Sequence, residues 1–149
     1  MARAANRPVH SLLIPTASVH VLVPSATIAE VINVAPLGRL PCAPDWCLGV
    51  IGWRQRAVPV ISLEALLGKG VSAPTPRSKI MVFFPLPGCQ EGQFFGVLST
   101  AEPQPHTIDS VDGIVTESPH PRYFAAALRV GGVTAGIPDL KALKATLYP

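Results

Sequence analysis

Seventeen prolines and twelve glycines in a chain of 149 residues set the tightest limit on what it can fold into. Proline removes a backbone donor and clashes with the turn before it, and glycine gives up the most entropy when fixed in a helix. Spread along the chain, these residues exclude long helices and leave short apolar runs separated by turns, which is the pattern of an all-β protein. Hydrophobic residues make up 48% of the chain and charged residues 14%, far from the composition of a disordered segment. The length suits one domain, or two small barrels sharing a core.

Leu12 to Pro15 and Val19 to Pro24 read as a hairpin, and Ser25 as the cap of a bend leading into Ile28-Ala29-Glu30-Val31-Ile32. The clearest local signal is a pair of β-branched runs, Leu48 to Trp53 and Ala57 to Ile61, flanking the polar tripeptide Arg54-Gln55-Arg56. Ser62 is placed to cap a short helix that Gly68 stops, and Lys69 to Ser78 reads as a linker. The second half repeats the rhythm: strands at Lys79–Phe84 and Gln93–Leu98, a proline-interrupted segment, Ile114-Val115, Tyr123–Val130 and Gly132–Ile137, then a helix capped by Asp139. Ser62-Leu63-Glu64-Ala65-Leu66 aligns with Asp139-Leu140-Lys141-Ala142-Leu143, cap on cap and leucine on leucine. This suggests a duplicated β unit of about five strands ending in a helical turn. The expected division is a first barrel over 10–68, a linker over 69–78 and a second barrel over 79–147, with exchange of strands between them left open.

Groups that could carry chemistry are sparse. No phosphate-binding glycine loop, nucleophile elbow or zinc-protease motif is present, and no cofactor or metal is expected. His10, His20, His106 and His120 stand apart from acids and cysteines in sequence. Asp109 and Asp112 fit a turn, and Pro74-Thr75-Pro76 and Pro119-His120-Pro121 fit rigid connectors. Cys42, Cys47 and Cys89 make an odd count without zinc or redox spacing, so they are expected as reduced structural thiols. A hydrolase using Cys47 with a distant histidine is one alternative, and a barrel binding single-stranded nucleic acid is another. Against the second, the net charge of +3 is not gathered into a basic run and aromatics are 6%. Arg3 and Arg7 precede an apolar stretch, but His10, Pro15, His20 and Pro24 interrupt it, so neither a secretory signal nor a membrane span is expected. The expected location is the cytoplasm.

Arg54 and Arg56 bracket a tight reversal and are expected to project from a rigid tip, a geometry suited to docking on carboxylates or carbonyls. Trp53 beside them is a candidate interface anchor, with Trp46 nearby.

The run from Leu48 to Leu63 resembles the signature of CheW-like domains, in which a Leu-Gly strand leads through an Arg-Gly turn into Val-Pro-Val-Ile-Asp-Leu. Ile28 to Ile32 is similar to the family's Val-x-Glu-Val/Ile element, and Pro44-Asp45-Trp46 stands where its loop enters the strand. The resemblance extends in layout over residues 10–147 and is specific over 28–67. It implies two five-stranded SH3-like barrels with an apolar groove between them, and a non-catalytic adaptor in bacterial chemosensory signalling. The implied partners are the regulatory domain of a CheA-like histidine kinase and the cytoplasmic tip of a chemoreceptor, with no nucleic acid and no membrane insertion. Carried over, Ile28, Glu30 and Val31 fall on the partner-facing element and Arg54 on the family's turn arginine, beside Trp53, Gln55 and Arg56. Trp46 with Trp53-Arg54 is more similar to auxiliary adaptors of pilus-linked, twitching-motility systems than to the principal coupler. The chain departs from the pattern at Gln55, where the family has glycine, at Ser62 for aspartate, and at Leu98-Ser99 for Val-Asp. A non-glycine residue at positive φ costs on the order of 1 kcal/mol, so a longer or reshaped hairpin is expected.

Overall fold

The computed structural model describes residues 8–17, 19–70, 73–108, 114–115, 122–130 and 132–148. Arg3, Arg7, Asp109, Asp112 and His120 lie outside them. In chain order the elements are β1 (Val9–Pro15), β2 (His20–Pro24), β3 (Ile28–Asn33), β4 (Cys47–Trp53), β5 (Arg56–Ile61), α1 (Leu63–Leu66), β6 (Lys79–Phe83) and β7 (Phe95–Ser99). They continue with β8 (Gln104–Ile108), β9 (Ile114–Val115), β10 (Phe124–Val130), β11 (Val133–Pro138) and α2 (Leu140–Leu147). The described residues form an all-β fold with two short helices, as the chain breakers require.

The strands form two sheets, β8-β1-β2-β11-β10-β9 and β3-β6-β7-β5-β4. Their connectivities match. In one, the β4–β5 hairpin runs parallel to β7 of the β6–β7 hairpin; in the other, the β10–β11 hairpin runs parallel to β2 of the β1–β2 hairpin. β3 flanks β6 as β8 flanks β1, and a helix follows β5 and β11 alike. The repeat seen at Ser62 and Asp139 therefore marks equivalent places.

The division expected at 69–78 is corrected by this topology, because residues there connect strands of one sheet. The five-stranded sheet is continuous from Ile28 to Ser99, whereas the six-stranded sheet joins the N-terminal hairpin to strands from Gln104 onward. β8 itself was hidden in the proline-interrupted segment. Pro105 lies opposite Leu12 on an edge strand, where a missing donor can face away from the ladder.

Period-two alternation distributes the apolar side chains among three cores. Met81 and Phe83 of β6 enter the core between the sheets with Ile14, Val21 and Val23, while Ile80 and Val82 fill the inside of the five-stranded sheet with Val58 and Val60. Leu22, pointing opposite to its neighbours, packs with Leu128 inside the other sheet. Strands buried on both faces read as unbroken apolar runs, as they do here. Both sheets curl: Ile108 of β8 and Leu128 of β10 line one hollow although β1, β2 and β11 stand between them in the sheet.

The helices end as the sequence indicates. Ser62 Oγ accepts the Ala65 N–H at the start of α1, and Gly68 at φ 76° closes it, with Gly68 N–H donating to Ala65 and Lys69 N–H to Glu64. Asp139 accepts the N–H groups of Lys141 and Ala142 at the start of α2. Ser25 does not cap: it lies within the 3-10 turn Ser25–Thr27, which has no side-chain cap.

Candidate functional site

The site is built on the β4–β5 hairpin. Trp53 pairs with Arg56, leaving a two-residue turn of Arg54 and Gln55 at φ 46° and 61°. Positive φ at both central residues is the type I′ turn, whose twist matches that of the strands it joins. The longer or reshaped hairpin expected from Gln55 does not form, and Arg56 belongs to β5. The match of twist outweighs a left-handed cost of roughly 1–2 kcal/mol at each residue. Gln55→Gly is accordingly expected to stabilise the protein by about 0.5–1 kcal/mol, after allowing for the larger unfolded-state entropy of glycine. The midpoint of urea unfolding measures this, and an unchanged or lower midpoint would show that the turn carries no strain.

β3 and β4 are the two edges of the five-stranded sheet, and the site lies where they meet. Gly38, beyond β3, exchanges backbone hydrogen bonds with Val50 of β4, its N–H at 2.9 Å and its carbonyl at 2.8 Å. Farther along the seam, Glu30 Oε1 accepts from Arg54 Nη2 at 2.9 Å and from Trp53 Nε1 at 3.3 Å. The Arg54 guanidinium lies 4.6 Å over the Trp53 ring. Arg54 is therefore folded back across the seam, where the sequence suggested a side chain projecting into solvent. With the two side chains 63% and 41% exposed, this ion pair adds at most about 1 kcal/mol. Its main effect is to fix the geometry of the surface.

A second cation extends the cluster. Arg56 lies 5.2 Å over the ring of Phe94, which is 5.1 Å from Trp53 and 5.9 Å from Phe84. Phe84 is 47% exposed. Sequence reading left both phenylalanines inside strands and so missed them. The signal was there in the doublets Phe83-Phe84 and Phe94-Phe95. Phe83 and Phe95 stack at 4.9 Å in the central core, so their neighbours must point the other way.

The structure thus brings together Glu30, Trp53, Arg54 and Arg56, with Gln55 exposed at the tip. It does not bring Ile28 and Val31 to them. A bulge between Ile28 and Glu30 breaks the alternation of β3, and Ile28 and Val31 lie half-buried against the core between the sheets. Trp46 packs on that same core. Cys47 opens β4, whereas His10, His20 and His106 sit on strands of the other sheet. Among the described residues, no three His, Cys, Asp or Glu side chains are placed to hold a metal ion. No described helix is long and apolar enough to cross a membrane. What the surface offers is fixed cations on aromatic faces, a chemistry of recognition.

Comparison with known proteins gives matches in sequence and in structure. The sequence profile of the CheW-like domain matches residues 10–146. Protein FrzA of Myxococcus xanthus is 37% identical over 60 residues, 40% of this chain and only 38% of that protein's length. The crystal structure of the scaffolding protein TtCheW from Thermoanaerobacter tengcongensis superposes with a TM-score of 0.75, covering 94% of this chain and 90% of that one. At 19% identity, the last match shows a shared fold, that of paired SH3-like barrels.

Proposed function

This chain belongs to the CheW-like domain family, and from that premise we propose that it is a non-catalytic adaptor coupling a chemoreceptor to a CheA-like sensor histidine kinase. It works in the cytoplasm, binding the regulatory domain of the kinase and the cytoplasmic tip of the receptor. Docking runs through the surface of Glu30, Trp53, Arg54, Gln55 and Arg56, with Ile28 and Val31 of the same strand as Glu30, half-buried against the core between the sheets, as a separate, second part of the interface. An auxiliary role in a pilus-linked, twitching-motility system is the finer assignment, supported by Trp46 together with Trp53-Arg54.

The observation that carries the reading is the exposed pair of Arg54 and Glu30, held in order on the buried ring of Trp53. Side chains already held in place lose little entropy when a partner arrives, and arginine and tryptophan are the residues that most often dominate binding energy. Arg54→Asp sets two carboxylates against each other and removes the guanidinium. It is expected to weaken binding to the kinase regulatory domain or the receptor tip at least about tenfold, while costing no more than about 1 kcal/mol of stability. Calorimetric titration of the purified protein with each partner measures this. No binding to either at tens of micromolar would overturn the adaptor reading. Binding that Arg54→Asp leaves untouched would move the site elsewhere.

A further inference from the structure

The C-terminal helix carries a second constellation that the adaptor surface does not use. Between α2 and the loop joining β6 to β7 lies a hollow of about 480 Å³, lined by Pro87, Lys141, Lys144, Ala145 and Tyr148. Lys141 and Lys144 stand one helical turn apart. The ion pairs among the described residues are Arg54 with Glu30 and Lys79 with Glu102, and neither involves these lysines. Asp139, the nearest acid in sequence, is occupied by the N–H groups of Lys141 and Ala142.

The hollow is shaped by its neighbours. Gly88 holds φ 85°, and a methyl group there would come within 2.9 Å of Lys144 Nζ, so the lysine lies directly across the loop backbone. Tyr148 donates its O–H to the Gln93 carbonyl at 3.5 Å from the other side. Burial, and secondarily the electrostatic influence of Cys89, raise the pKa of this phenol. Gln93 adjoins Phe94, so the surface of Arg56 and Phe94 continues along the loop to α2.

We infer that this hollow is a second docking site, one that takes an acidic segment of a partner protein with carboxylates about one helical turn apart. Charge complementarity and continuity with the first surface argue for that occupant. Two ammonium groups at i and i+3 match carboxylates at the same spacing on a facing helix, while Pro87 and Ala145 offer apolar walls to the methylenes that carry them. Nucleic acid calls for a longer basic track, and an anionic membrane for a cluster of about four to eight cations. Continuity carries weight only with the docking role proposed for the first surface; the charge of the two lysines stands apart from that role.

A fluorescein-labelled helical peptide of Glu-Ala-Ala-Glu repeats, titrated with the full chain, tests it. Saturable binding at about a few hundred micromolar or tighter is expected, weakening with salt and shifting the amide resonances of Gly88, Ala145 and Tyr148. The double substitution Lys141→Glu, Lys144→Glu should weaken it at least about tenfold, and Arg54→Asp should not. If circular dichroism shows the charge reversal to be misfolded, Lys141→Ala with Lys144→Ala serves in its place with the same expectation. Absence of saturable binding overturns the site, as does equal binding by the folded double variant. Tighter binding of oligonucleotides or anionic phospholipid vesicles, lost in the same variant, overturns the assignment of a protein partner.

Discussion

Gly49→Ala is expected to lower the stability of the protein by about 3–5 kcal/mol, a large share of the roughly 5–15 kcal/mol typical of a folded domain. Gly49 sits at φ 145°, where a side chain is strained by about 1–3 kcal/mol. Its added methyl would also stand 2.6 Å from the Gly38 carbonyl oxygen and 3.1 Å from Leu37 Cβ. The first of these is a backbone atom that already holds the Val50 N–H at 2.8 Å, so relief comes only by prising Gly38 from β4. Losing that pair of bonds costs about 1 kcal/mol each. Gly52 is the matched control. It lies on the same strand, a methyl added there would meet nothing within 4 Å, and Gly52→Ala should change stability by less than about 1 kcal/mol. Urea unfolding of both variants decides the matter; equal midpoints would show that the seam does not close the sheet.

The second large effect is expected at Glu64. This residue is 3% exposed, yet among the described residues no cation forms an ion pair with it. Oε1 accepts the Ala17 N–H at 2.6 Å and Oε2 accepts the Ser62 hydroxyl at 3.0 Å. Ala17 belongs to the turn between β1 and β2, so this one side chain ties α1, at the end of the five-stranded sheet, to the other sheet. Hydrogen bonds to charged groups are worth about 1.5–3 kcal/mol, and Ala17, exposed on its turn, can recover part of that from water. Glu64→Ala should therefore cost about 2–3 kcal/mol. Glu64→Gln should cost less than half as much, because its amide oxygen still serves Ala17 and its amide nitrogen can donate to Ser62. Identical losses in the two variants would place the effect in packing alone and discard the hydrogen-bonded tie.

These two residues mark the boundary of what the sequence makes legible. Apolar runs between prolines and glycines located almost every strand, because burial on both faces makes the runs continuous. The caps at Ser62 and Asp139 were readable because capping is local chemistry. Pairing across the chain is not local: nothing near Leu12 or Val21 says that their neighbours in the sheet are Pro105 and Gly136. The turn at Arg54-Gln55 was misread for a related reason, since its cost is local and the gain in strand twist is distributed. At the site, the residue types were legible and their partners were not. Arg54 could be singled out from its hairpin, but Glu30 as its tether required the curvature that brings sheet edges together, and Phe94 as the seat of Arg56 required the long-range pairing of β5 with β7.

The wrapped layout of the six-stranded sheet has a consequence for a chain made from its N-terminus on a ribosome. Residues 28–99 can complete their sheet as they emerge, whereas the opening hairpin waits for partners encoded after Gln104. Until those arrive, Leu22 has no Leu128 or Ala135 to pack on. A hairpin translated before the five-stranded sheet is thus sealed after it, and a nascent chain stalled before β10 would hold one finished sheet beside a sticky, unmated β ribbon.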